Sequence, residues 1–132
     1  MCGGVRYHVT GALRDAVACH CGQCRKTTGH YGVFGACRND DLVMESDATL
    51  AWYESSPGVR RGFCGKCGST LFWDDRSREY VAVAVGSLNQ PTGIKITKHI
   101  YMADKGDDCR IEGCMPADIQ QKDLGSINSD PE

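Results

Sequence analysis

The sequence predicts an all-β fold, a sandwich or barrel-like arrangement of short strands joined by tight turns. Apolar side chains alternate with polar ones along much of the chain, which is the period of a half-buried strand. Clusters of Asn, Asp, Ser, Pro and Gly separate these segments at nearly regular spacing. Helical periodicity is weak, so we expect only a few short helical turns. With 132 residues, the chain is long enough to form one domain with its own core.

The predicted strands follow one another along the chain. The first is Val5–Val9, and a short apolar run, Ala16–Cys19, leads into a cysteine cluster. Five further segments have strand character: Tyr31–Cys37, Leu50–Tyr53, Val59–Phe63, Thr70–Trp73 and Ile94–Tyr101. Tyr80–Val85 is a continuous run of β-branched residues and alanines, so we expect it to be buried on both faces. Gln23–Thr28 and Asn39–Leu42 could each form one helical turn.

The composition excludes several classes of protein. Hydrophobic residues make up 41% of the chain and charged residues 24%, as in ordinary globular domains. No apolar run approaches the roughly 20 residues of a membrane helix, and the first residues do not resemble a signal peptide. We therefore expect a cytoplasmic protein without a membrane partner. The formal net charge is -2 and the basic residues are scattered, which argues against a nucleic-acid partner.

Nine cysteines are many for a chain of this size. Their number is odd, so they cannot all pair into disulfides. In a reducing compartment, clustered cysteines are more typical of metal ligands than of disulfide bridges. The cysteines therefore predict metal binding, and their spacing suggests where.

The segment Cys64-Gly-Lys-Cys67-Gly is typical of a zinc knuckle. Its glycines allow the tight turn that points backbone N–H groups at the sulfurs, and the flanking strands make it the tip of a hairpin. A redox pair is the alternative, but no βαβ context accompanies it. Because structural zinc takes four ligands, two more are needed. The pair Cys21 and Cys24 could supply them, although Cys19 would then have no role.

A second interpretation makes Cys19, Cys21 and Cys24 a metal site of their own. Residues i and i+2 of a strand project to the same side, so Cys19 and Cys21 point together, and Cys24 returns after a turn. His20 points the other way, and we expect it to be packed or to support the ligands rather than bind metal. Three ligands leave the open position typical of catalytic zinc. A zinc ion among three thiolates is electron-rich, and suits an incoming thiolate better than activation of water.

The same segments resemble the family of glutathione-dependent formaldehyde-activating enzymes (Gfa/CENP-V). The resemblance rests on motifs spread over residues 1–116: Cys2-Gly-Gly-Val-Arg-Tyr7, Cys19-His-Cys-x-x-Cys24-Arg-Lys-x-x-Gly29, Ser55-Ser-Pro-Gly58, Arg61-Gly-Phe-Cys-x-x-Cys-Gly-Ser-x-Leu71, Gly86-Ser-Leu88 and His99-Ile-Tyr101. It implies a β-tent of packed antiparallel sheets over residues 1–116. From Ala117 onward the composition turns polar, so we expect residues 117–132 to form a tail with a short surface helix and a frayed end. The chain lacks the tryptophan that the family commonly carries near its C-terminal end, and has Cys109 and Cys114 as extra thiols there.

The resemblance also implies two zinc ions and a reaction. One zinc would be structural, held by Cys2, Cys64 and Cys67, and the other catalytic, held by Cys19, Cys21 and Cys24. The family's structural site has a further cysteine two residues before Cys2, a position that precedes Met1 here. The implied activity is that of a carbon–sulfur lyase, which adds the thiol of glutathione to formaldehyde. The alternatives are a non-catalytic zinc-binding interaction module and a thiol or zinc reservoir.

Other residues carry weaker expectations. Arg25 could meet a carboxylate of glutathione or donate to a zinc-bound sulfur, and a solvated surface arginine is the alternative. Cys37 and three aromatic residues of the strands are expected in the core: Trp52, Phe72 and Trp73. For His99 we expect a hydrogen-bonded structural role.

Overall fold

The computed structural model describes residues 1–111, in which strands dominate. The strands are β1 Arg6–Val9, β2 Arg14–Cys19, β3 Gly32–Arg38, β4 Leu42–Ser46, β5 Leu50–Ser56, β6 Val59–Cys64, β7 Thr70–Asp75, β8 Tyr80–Ala84 and β9 Ile96–Ile100. Within residues 1–111, one α-helix, α1, spans Gly22–Thr28. The same part of the chain has three 3₁₀ turns, Asn39–Asp41, Val85–Ser87 and Met102–Asp104. The predicted all-β class is confirmed, and so are both helical turns.

The strands form two sheets. Seven strands make one sheet in the order β5-β6-β7-β8-β3-β2-β9, and β1 pairs with β4 in a second, two-stranded sheet. All pairs are antiparallel except β2–β9, which run parallel. In that pair Ala18 lies opposite His99, and Cys19 lies opposite Ile100. The parallel pair therefore brings the last strand beside the cysteine cluster that follows β2.

The two faces of the large sheet have different roles. Its central strand, β8, confirms the expectation of burial on both faces, because all four residues from Val81 to Ala84 are buried. Val81 and Val83 join Phe72 in a core that the small sheet covers through residues such as Tyr7 and Met44. The Tyr7 and Phe72 rings meet edge to face, with centroids 5.0 Å apart. On the opposite face, Phe34, Ala82 and Ala84 pack against Cys24.

Two details of the fold differ from the sequence expectations. Strand β4 was not predicted, because the exposed Val43 interrupts the alternation of inward Leu42 and Met44 with polar residues. Trp73 was expected in the core with Phe72 and Trp52. Phe72 is 1% exposed, whereas Trp73 is only half-buried, because successive residues of β7 face opposite sides of the sheet.

Trp52 also lies at the margin of the core. It is half-buried and stacks on Phe72 with ring centroids 6.0 Å apart. The predicted polar tail, residues 117–132, and Cys114 lie outside the described residues. Among residues 1–111, no helix has the length and apolar character needed to cross a membrane.

Candidate metal centres and active-site cavity

The first cysteine cluster forms where β2 ends and α1 begins. The sulfurs of Cys19, Cys21 and Cys24 all lie within 4.8 Å of one another. Cys21 caps the N-terminus of α1, and its sulfur accepts a hydrogen bond from the Cys24 backbone N–H at 3.3 Å. The first turn of the helix therefore brings the Cys24 sulfur close to the sulfurs of Cys19 and Cys21.

A second cluster joins the N-terminal segment to the β6–β7 hairpin. The sulfurs of Cys2, Cys64 and Cys67 lie within 4.8 Å of one another, with 3.6 Å between Cys2 and Cys64. The Cys67 N–H points at the Cys64 sulfur at 3.4 Å, as in a zinc knuckle. Hydroxyl groups support both hairpin cysteines, since Thr49 Oγ1 lies 3.1 Å from Cys64 Sγ and Ser69 Oγ lies 3.2 Å from Cys67 Sγ.

Both clusters suit a soft divalent cation such as zinc. Thiolates about 2.3 Å from a tetrahedral zinc ion lie roughly 3.8 Å apart. The 3.6 Å between the Cys2 and Cys64 sulfurs and the upper limit of 4.8 Å within both clusters are compatible with this spacing. Hydrogen bonding from Ser69 lowers the pKa of Cys67 to about 5, and the Thr49 hydroxyl lowers that of Cys64. Two of the three sulfurs of the second cluster are thus predisposed to the thiolate form that metal binding requires.

The sulfurs of the first cluster already share their protons unequally. Hydrogen bonds from Cys19 and then Cys24 lower the pKa of Cys21 to about 2, and the same contact with Cys21 raises the pKa of Cys19. For Cys24, the hydrogen bond to Cys19 lowers the pKa, but contact with Cys21 and burial outweigh it, so the net shift is upward. The cluster therefore holds one thiolate that accepts hydrogen bonds from two thiols. A cation can replace the protons of those two thiols.

A cavity of about 620 Å³ opens beside the first cluster. Its volume lies in the range of small-molecule sites. All three sulfur residues line it, with a wall that is mainly apolar: Val17, Phe34, Val59, Trp73, Ala82 and Ile100. Polar groups that line it include Arg14, Arg61, Tyr80, Tyr101 and Asp104. An apolar cavity with a few convergent polar groups and a nucleophile cluster is the arrangement expected of an active site.

Tyr101 stands out among the cavity residues because of its backbone. Its φ of 56° makes it the one non-glycine residue with positive φ in the described chain, and such residues cluster at functional sites. Burial, and after it the nearby cysteines, raise its pKa to about 12. Its phenol therefore stays protonated at neutral pH and can serve as a hydrogen-bond donor.

The histidines lie behind the cluster rather than in it. His20 is 1% exposed and shares a 2.9 Å hydrogen bond with His99, between Nε2 and Nδ1. Its ring also contacts Tyr31, with centroids 4.7 Å apart. Burial lowers the pKa of both histidines, so both are neutral near pH 7. These contacts match the structural roles expected for His20 and His99.

Two arginines other than Arg25, the one singled out from the sequence, line the cavity: Arg14 and Arg61. Arg25 follows Cys24 on α1, but it is not among the cavity-lining residues of the described chain. Arg61, on β6, lines the cavity, and its two terminal nitrogens each lie 3.8 Å from Cys24 Sγ. The sequence did carry a signal, since Arg61 opens the motif that leads into Cys64, on the strand face opposite Arg60.

Comparison with known proteins identifies the family. The sequence matches the profile of the family described as "Glutathione-dependent formaldehyde-activating enzyme" over residues 1–104. The chain belongs to this family. No curated protein matches it. A crystal structure of a Rhodobacter sphaeroides protein, a structural genomics target, is similar with a TM-score of 0.57 and 26% identity, covering 73% of this chain and 94% of that chain.

Membership of the glutathione-dependent formaldehyde-activating enzyme family fits the geometry of the site. The matched region contains all six clustered cysteines, the strands that carry Arg61 and Trp73, and Tyr101. The family therefore supports formaldehyde activation with glutathione as the general function. Cys37 and Cys109 lie outside both clusters and are buried.

Proposed function

We propose that this protein is a zinc-dependent carbon–sulfur lyase that joins a thiol, with glutathione as the family substrate, to a small aldehyde such as formaldehyde. The catalytic zinc would be held by Cys19, Cys21 and Cys24, and a structural zinc by Cys2, Cys64 and Cys67. One observation carries the proposal: three sulfurs within 4.8 Å of one another line a cavity of about 620 Å³. Because the proposed sites need reduced thiols, we expect the protein to act in the cytoplasm.

The proposed reaction forms two bonds, C–S and O–H, and breaks two. The thiol sulfur bonds to the carbonyl carbon, the S–H bond is lost, and the π bond of the carbonyl opens. The thiol proton ends on the former carbonyl oxygen, so the product is an S-hydroxymethyl adduct and no oxidant or reductant is consumed. A zinc ion held by three thiolates would supply a soft site at which an incoming thiol ionises near neutral pH.

The residues of this chain contribute positioning and polarity to that reaction. The apolar wall, including Phe34 and Trp73, excludes water around the reacting sulfur and strengthens the electrostatic interactions there. The protonated Tyr101 phenol is a donor suited to the oxygen on which negative charge develops. Because thiols add readily to formaldehyde in water, much of the expected advantage comes from holding both reactants together.

The rival function is a non-catalytic zinc-binding interaction module. In such a module, a fourth protein ligand would close the Cys19, Cys21, Cys24 cluster. One feature favours the enzyme: this cluster lines a cavity rather than a flat surface. The second cluster is more suited to a structural role, because it connects residues 62 positions apart and does not line the cavity.

The test compares adduct formation by the wild type and by Cys21→Ser. Exchange between labelled formaldehyde and its glutathione adduct is followed at equilibrium by NMR, since the uncatalysed reaction is fast. We expect the wild type to accelerate the exchange and Cys21→Ser to return it to the protein-free rate. Metal analysis should show the loss of about one zinc equivalent in the variant.

Cys109→Ser is the matched control, because Cys109 is buried but belongs to neither cluster. It should keep both the zinc content and the exchange rate of the wild type. Equal exchange rates for the wild type and Cys21→Ser, at matched protein concentration, would remove the catalytic proposal and leave the interaction module.

A further inference from the structure

Strand β6 carries two consecutive arginines with different environments. Arg60 Nε donates to Asp74 Oδ2 at 2.8 Å, and its guanidinium lies 3.9 Å from the centroid of the Trp52 ring. Arg61 projects to the other side of the sheet, lines the cavity and is only 6% exposed. Arg60 thus has a carboxylate and an aromatic ring as partners, whereas Arg61 is a buried cation beside the sulfur cluster.

The contacts of Arg61 are with the cluster and its helix. Both terminal nitrogens, Nη1 and Nη2, can donate to Cys24 Sγ at 3.8 Å, and Nη2 donates to Gln23 Oε1 at 3.3 Å. Its Nε is buried without a hydrogen-bond partner in the described part of the chain. Arg61 forms no ion pair with a carboxylate of residues 1–111. The sulfur cluster is therefore the counter-charge that keeps this guanidinium buried.

The charge of the cluster explains why a cation is useful there. Three thiolates around a divalent ion carry a net charge of -1, and an additional thiolate makes it -2. In a largely apolar cavity that second negative charge is costly unless a positive group lies close to it. The Arg61 guanidinium, 3.8 Å from Cys24 Sγ, changes the net charge of the site from -2 to -1. Its remaining N–H groups can donate hydrogen bonds to the added thiolate.

We propose that Arg61 is a positioning residue that offsets the negative charge of the Cys19, Cys21, Cys24 cluster and thereby allows a substrate thiol to bind there as thiolate. The proposal rests on the proposed function, since it assumes a metal at this cluster. In this proposal Arg61 interacts with the reacting sulfur of the substrate and not with a carboxylate elsewhere on it.

The experiment measures thiol binding rather than turnover. The full chain is loaded with Co²⁺, whose thiolate charge-transfer absorption reports the sulfur ligands, and is titrated with 2-mercaptoethanol, a thiol without a carboxylate. The signal of the Cys2, Cys64, Cys67 cluster is obtained from Cys21→Ser and subtracted. The variants are Arg61→Met, Arg61→Lys and, as the matched control on the same strand, Arg60→Met.

We expect Arg61→Met to raise the apparent Kd for 2-mercaptoethanol roughly 10- to 100-fold, the loss typical of a hydrogen bond to a charged group. Arg61→Lys keeps the charge and should bind within about threefold of the wild type. Arg60→Met should bind like the wild type. An unchanged cobalt signal from the Cys2, Cys64, Cys67 cluster shows that each variant is folded.

Two results would overturn the role of Arg61 while leaving the proposed function in place. One is equal thiol binding by Arg61→Met and the wild type, or equal weakening in Arg61→Met and Arg61→Lys. The other is a loss of affinity for 3-mercaptopropionate, a thiol with a carboxylate, without any loss for 2-mercaptoethanol. That result would mean that Arg61 binds a carboxylate. If the wild-type cobalt spectrum does not respond to any thiol, the proposed function fails, and this inference fails with it.

Discussion

At the scale of single residues, a pair of histidines supports the cysteine cluster from behind. His20 lies between two cluster cysteines in the sequence and is almost completely buried, so its ring nitrogen needs a partner inside the protein. His99 supplies it from β9, the strand that runs parallel to β2. This hydrogen bond fixes the orientation of the peptide that connects Cys19 to Cys21.

Replacing His99 should therefore destabilise the protein. His99→Phe keeps a ring in place but leaves the buried Nε2 of His20 unpaired, and we expect a loss of about 1–3 kcal/mol in the free energy of unfolding. The measurement is urea denaturation of the zinc-loaded protein. His8→Phe is the control, because the His8 side chain is 50% exposed and pairs with Glu45 at the surface, so its loss should be under about 0.5 kcal/mol. Equal losses in the two variants would contradict the importance of the buried pair.

At the scale of elements, the short helix α1 is what completes the cluster. Seven residues are too few for a stable isolated helix, so its ends must be fixed by the rest of the protein. Cys21 caps the start, and Gly29 ends the helix in the left-handed conformation, with φ of 84° and its N–H bonded to the Arg25 carbonyl. The geometry of Cys24 therefore depends on both ends of the helix.

Gly29→Ala tests the C-terminal end of α1. A Cβ at Gly29 meets no atom within 4 Å, so the cost is the strained backbone alone, about 1 kcal/mol of unfolding free energy. Gly22→Ala is a matched control on the same helix, since its Cβ is also unobstructed and its φ is ordinary. Thermal unfolding of the zinc-loaded proteins should show a lower midpoint for Gly29→Ala only. A similar decrease in Gly22→Ala would indicate that added bulk, not the positive φ, matters.

At the scale of the whole molecule, the two cysteine clusters close very different lengths of chain. The Cys19, Cys21, Cys24 cluster spans six residues, whereas Cys2 and Cys64 are 62 positions apart. A cross-link that closes a long loop restricts the unfolded chain more than one that closes a short loop. The cluster beside the cavity is therefore suited to chemistry, and the distant one to stability.

This difference predicts unequal effects of removing one ligand from each cluster. Cys67→Ser should reduce the unfolding free energy by about 2 kcal/mol more than Cys21→Ser, the difference that loop-closure entropy gives for these lengths. Guanidinium denaturation of the two variants would measure this difference in unfolding free energy. Zinc analysis should show one equivalent in each variant, bound to the remaining cluster. A chelator that strips both sites should bring the variants and the wild type to similar stability. A larger loss in Cys21→Ser would show that the cavity cluster is the main structural support.

Much of this protein is determined locally by its sequence. Alternating side chains predicted most of the strands, and the spacing of Cys19, Cys21 and Cys24 predicted that their sulfurs converge, because a strand and one tight turn fix those directions within six residues. Only the tertiary structure decided which cation faces the cluster. Arg25 is adjacent to Cys24 in sequence, but Arg61 reaches it from a strand 37 residues away. The same holds for Trp73 and Tyr101, since strand register and sheet order, which arise from long-range contacts, determine which side chains share a cavity.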